Sequence, residues 1–133
     1  MAEPMHYRAF ISYSHSDEQW ARWLQRALEK YQLPKTFRKS HPDLPARLYP
    51  IFRDRDELAS AHDLSESIRK AMDDSDALIV ICSPAARASH WVNEEIRRFQ
   101  ASERRQNIFC FMVSGCPDPK AADCAFPHAL LLD

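Results

Sequence analysis

One carboxylate stands out for its spacing. Glu95 follows Trp91 by four residues in the run Ser89-His-Trp-Val-Asn-Glu-Glu-Ile-Arg-Arg-Phe-Gln100. Val92, Ile96 and Phe99 fall at i, i+4 and i+7, so they share the inward face of a helix, with Ser89 as N-cap. Glu95 lies three residues after Val92 and four before Phe99, on or beside that face. Glu94 points elsewhere, toward Arg97 and Arg98, and is explained as a solvated ion-pair partner. A structural role for Glu95 would be a boundary carboxylate paired with Arg98. A chemical role is also open, because an α/β sheet puts its site just past the end of a buried strand. Ser12, Ser14 and Ser83 close strand-like runs, where a hydroxyl meets ligand oxygens or serves a turn or cap. A dense charged stretch, Arg53-Asp-Arg-Asp-Glu-Leu58, reads on charge pattern as a solvated loop.

The elements that must position these residues alternate. Tyr7–Tyr13, Arg47–Phe52, Ala77–Cys82 and Asn107–Val113 are short runs rich in β-branched and aromatic residues. Pro50 places the second run at a sheet edge or near a strand start. Between the first two runs, Trp20, Trp23, Leu24, Ala27, Leu28 and Tyr31 fall at helical spacing. Ser16 and Gln19 form a capping-box signature before them, and Pro34 follows. Both tryptophans are expected in the core. Lys35–Pro45 reads as an irregular, basic, mobile connection. Asp63 and Glu66 resemble another capping box, ahead of an inward stripe of Leu64, Ile68, Ala71 and Met72. The order β-α-β-α-β-α-β, with runs 77–82 and 107–113 expected to be buried on both faces, argues a parallel sheet flanked by helices on both faces. Residues 116–133 show no clear period.

Composition narrows the function. The chain has 133 residues, enough for one domain. With 18 basic and 19 acidic residues its net charge is −1, which draws neither nucleic acid nor an anionic membrane. No apolar run reaches membrane-spanning length, and the N-terminus has no signal-peptide core, so a cytoplasmic protein is expected. Cys82, Cys110, Cys116 and Cys124 form no C-x-x-C pair and read as reduced, dispersed thiols. The six histidines are scattered, so no metal is expected. A single glycine, Gly115, excludes a Walker A loop and a G-x-G-x-x-G fingerprint. No G-x-S-x-G elbow is present.

Four motifs taken together resemble the Toll/interleukin-1 receptor (TIR) domain, in its bacterial branch. They are Phe10-Ile-Ser-Tyr-Ser14, Phe52-Arg-Asp-Arg-Asp-Glu-Leu58, Leu78-Ile-Val-Ile-Cys-Ser-Pro84 and Trp91-Val-Asn-Glu-Glu-Ile96. The match covers roughly residues 6 to 115. It implies a flavodoxin-like sheet, with the charged run as the BB loop, used in the family for self-association and for gating the site. Here Ala59-Ser-Ala-His62 replaces the Gly or Pro many relatives carry in that loop. The family's last strand and helix are missing or only begun at Leu130. The chain stops just after an apolar triplet, Leu130-Leu-Leu132, and is expected to be the front of a longer protein.

Members of the family either only assemble, as adaptors, or cleave NAD+ with one glutamate in a W-x-x-x-E pattern. Trp91 and Glu95 match that pattern. The resemblance thus implies an NAD+ glycohydrolase or cyclase, the effector domain of a defence or signalling protein, activated by self-association. NAD+ would be substrate, with no cofactor. The alternative is a non-catalytic interaction module binding other TIR domains. A single carboxylate suits the chemistry. The nicotinamide leaving group is already cationic, and the transition state resembles an oxocarbenium ion. Phe10, Phe52, Arg53 and Trp91 are then candidates for ring stacking or pyrophosphate contact, with Ser12, Ser14 and Ser83 meeting ligand oxygens. Asp54, Arg55, Asp56 and Glu57 would carry the self-association.

Overall fold

The structure, a computed structural model, describes residues 6–42, 48–53 and 66–131. Among these residues four strands, β1 (Ala9–Ser12), β2 (Ile51–Arg53), β3 (Leu78–Cys82) and β4 (Ile108–Met112), form one sheet in the order β2-β1-β3-β4. Every pairing is parallel, and Phe10 lies in register with both Phe52 and Leu78. Around the sheet lie α1 (Glu18–Lys30), α2 (Lys35–Ser40), α3 (Glu66–Asp73), α4 (Pro84–Ala88), α5 (His90–Gln100) and α6 (His128–Leu131).

Strand alternation divides the core in two. Phe10, Leu78, Val80 and Cys82 point to one face and pack with Ile68 and Met72 of α3 and Val92, Ile96 and Phe99 of α5. Ala9, Ile11, Ile51 and Ile81 point to the other and pack with Ala21 and Leu24 of α1. A fully buried Ile or Phe of this kind stabilises the fold by roughly 1.5–3 kcal/mol. The expected helices on both faces are therefore present.

Several expectations are corrected. Trp20 and Trp23 are 46% and 55% exposed rather than in the core. The apolar stripe of α1 is wide, and its buried centre is Ala21 and Leu24, which leaves the tryptophans at its margin. Trp23 instead stacks on Phe111 at 6.2 Å. β4 is not buried on both faces, since Phe109, Cys110 and Met112 are exposed. Among the described residues it is an edge strand, paired with β3 alone. The Ser16 capping box does not form. Ser16 lies inside a single 3₁₀ turn, His15–Asp17, and α1 starts after it with no side-chain cap. Within the connection expected to be irregular, Lys35–Ser40 is helical. Asp63 and Leu64, and with them that capping box, lie outside the described residues.

The segment after β4 runs back over α4 and α5. Gly115 turns it with φ +87°, a left-handed conformation that favours glycine. A Cβ there would also meet the Asp123 carbonyl oxygen at 2.5 Å. Buried Asn93 then anchors α6, accepting from the Ala129 amide at 2.9 Å while donating to the Ser89 carbonyl at 2.8 Å.

Candidate active site at the sheet switch point

In an open parallel sheet, the chain leaves neighbouring strands in opposite directions at one crevice, and ligands bind at its carboxyl end. With the order β2-β1-β3-β4, that point lies between β1 and β3. Two carboxylates converge there. Ser12, the last residue of β1, donates to Glu95 Oε1 at 2.6 Å. Ser83, which follows β3, donates a short hydrogen bond to Asp17 Oδ2. Both hydroxyls, and both carboxylates, are buried.

Local sequence explains each position. Ser89 accepts from the Val92 amide at 3.2 Å and so starts α5 where expected. From that start Val92, Ile96 and Phe99 face the sheet, and Glu95 is carried inward to 1% exposure. Arg98, the partner of the structural reading, donates to Asp73 at 2.8 Å. Glu94 pairs with Arg97 at 3.0 Å on the exposed side, as its spacing indicated. Ser83 has a double task, since its oxygen also accepts from the Ala86 amide and caps α4.

Beside these pairs lies an open groove of about 580 Å³, whose described lining is Ser14, His15, Ala85, Ala88, Ser89, His90 and Trp91. Trp91 packs partly on the core, and the His90 ring meets it edge-on at 5.8 Å. Glu95 is one helical turn further along α5, behind the groove wall. The arrangement offers a flat aromatic wall, hydroxyls at the rim and a carboxylate whose orientation is fixed by Ser12.

The other candidate residues are distributed differently. Phe10 is fully enclosed and stacks on Phe52 at 5.1 Å, so its ring belongs to the core and not to the groove. Phe52 is wedged between Phe10 and Tyr7. Arg53 projects to the opposite face, where it donates to Gln25 at 3.0 Å and to Tyr13 and Glu18 at 3.4 Å. It is not brought together with Glu95. Asp54, Arg55, Asp56 and Glu57 lie outside the described residues. Asp17 and His15 were missed as site neighbours. A turn residue carries no local sign of a contact 66 residues away.

The thiols are not dispersed. Cys110 pairs in register with Val80, two residues before Cys82, so the two thiols are neighbours on β3 and β4. The neighbouring Cys110 thiol and burial push Cys82 up, while the neighbouring Cys82 brings Cys110 down to about 7. Among the described residues no group of three or more His, Cys, Asp or Glu is placed to hold a metal ion. No described helix is long and apolar enough to cross a membrane.

The sequence matches the model of the TIR domain over residues 9–130. The chain belongs to the TIR domain family. This TIR domain is also 37% identical, over 112 residues, to the NAD(+) hydrolase ApTIR of Actinoplanes sp.. The aligned stretch is 84% of this chain and 14% of that relative, so the chain spans a small part of the relative's length.

Proposed function

We propose that this TIR domain cleaves the bond between nicotinamide and ribose in NAD+, with Glu95 as the catalytic carboxylate. The observation that carries the reading is Glu95 itself, drawn inward at the switch point, four residues after Trp91 and oriented by Ser12 at 2.6 Å. The likeness to an NAD(+) hydrolase supports the same substrate. As the bond lengthens, positive charge grows on the ribose, and a carboxylate beside it stabilises that charge. Trp91 and the rim hydroxyl of Ser14 would hold the nicotinamide riboside. Water attack gives ADP-ribose; attack by the substrate's own adenine gives a cyclic product.

The proposal extends to control. The domain acts as an effector in a defence or signalling protein, and self-association through Asp54, Arg55, Asp56 and Glu57 switches it on. One feature favours the second reading, assembly without catalysis: at 1% exposure, Glu95 is shielded as a purely structural carboxylate would be.

The deciding experiment is incubation with NAD+ at high protein concentration, followed by chromatography of nicotinamide. Glu95→Ala is expected to abolish release in a folded protein, and Glu94→Ala to leave it nearly unchanged. Equal loss in both variants, or no release from the parent, would assign the domain to assembly alone.

A further inference from the structure

A second concavity, of about 620 Å³, lies across the Ser89–His90 corner from the groove, between α4, α5 and the segment leading to α6. Its volume falls in the range of roughly 300–1,000 Å³ usual for small-molecule sites. Its wall carries Arg87, His90, Arg97 and His128, and no carboxylate among the described residues that line it. The chain as a whole has more acidic than basic residues, 19 to 18. The wall therefore departs from the chain's own charge balance.

Arg87 is positioned in advance. Its Nη1 donates to the Phe126 carbonyl at 3.0 Å and lies 3.1 Å from Cys124 Sγ. Asn93, also on the wall, fixes α6 and so the backbone that carries His128. Arg97 is free to change partner. Its ion pair with Glu94 is exposed, and such pairs are worth little in water. Two arginines lining one concavity suit the forked oxygens of phosphate better than they suit any neutral ligand.

We propose that this concavity binds a diphosphate group, held by Arg87 and Arg97 with His90 and His128 beside them. The proposal stands apart from the reading of Glu95, because it concerns binding and needs no turnover. Diphosphate chemistry has two sources here, a free inorganic diphosphate and a nucleoside diphosphate moiety.

Calorimetric titration of the chain with inorganic diphosphate and with ADP tests the site, at low and at high salt. Both ligands are expected to bind at low salt and to weaken as salt rises. Arg97→Ala is expected to weaken both at least roughly tenfold, the scale of one charge-assisted hydrogen bond. His128→Ala should weaken them less, and Arg105→Ala, on an exposed turn outside the cavity, should not. Tighter binding of ADP assigns the site to a nucleotide, and equal binding assigns it to the diphosphate alone. No binding of either ligand at millimolar concentration, or binding untouched by Arg97→Ala and His128→Ala, would overturn the proposal.

Discussion

The Ser12 hydroxyl makes a bond that only the fold can create, across 83 residues of chain to Glu95. Its role is orientation of a carboxylate, so Ser12→Ala should leave a folded protein with a lower kcat for nicotinamide release and a KM changed much less. Steady-state kinetics beside a circular dichroism spectrum would check this. A raised KM with kcat unchanged would mean that Ser12 serves substrate binding instead. Cys110 supports a prediction at the same scale. Its thiol is lowered to about 7, so the thiolate forms as pH rises through that value. Alkylation by iodoacetamide, followed by peptide mass spectrometry, should climb between about pH 6 and 8 and then level off. Cys82→Ala removes the neighbouring thiol and should shift the climb upward, toward the ordinary thiol value of about 8.5. At this scale the inward position of Glu95 was legible from spacing alone. Its contact with Ser12, the Asp17–Ser83 bond and the Cys82–Cys110 pair were not, because each joins distant parts of the chain.

At the level of elements, the strands and long helices lie where local pattern put them, with β1 and β2 shorter than their runs. β3, with its continuous β-branched run, and α5, with its cap and i, i+4, i+7 stripe, lie within a residue of expectation. Failures came where tertiary context outweighed pattern. The stripe of α1 has more apolar residues than the sheet can cover, so the sequence could not tell Leu24 from Trp23. β4 has the composition of a central strand and the position of an edge one. The short helices α2, α4 and α6 span too few residues to show a period. α6 depends on Asn93, whose loss would orphan the buried Ala129 amide that its side chain accepts from. Asn93→Ala should therefore cost about 1–3 kcal/mol, read as a lower urea midpoint, and speed amide exchange in 128–131. An unchanged midpoint would show that α6 docks through its apolar contacts alone.

Considered whole, the molecule combines a nearly neutral chain with locally concentrated charge. Asp54, Arg55, Asp56 and Glu57 carry both signs within four positions of the sequence. On the proposed control by self-association, specific activity should rise with protein concentration and fall with added salt, because exposed charge pairs are screened. Asp54→Lys combined with Asp56→Lys should suppress turnover and association together, measured by product formation and by light scattering. Constant specific activity, with a monomer at every concentration, would leave a constitutive enzyme. The shielding of Glu95 has a consequence for how such an enzyme would respond to its substrate. A carboxylate with 1% of its surface exposed meets no ligand until the protein rearranges. Turnover then draws on a minority conformer, and the apparent dissociation constant exceeds the intrinsic one by the inverse of that conformer's population. Tenfold enrichment of the minority form would sharpen apparent affinity tenfold, with no new contact made to the ligand.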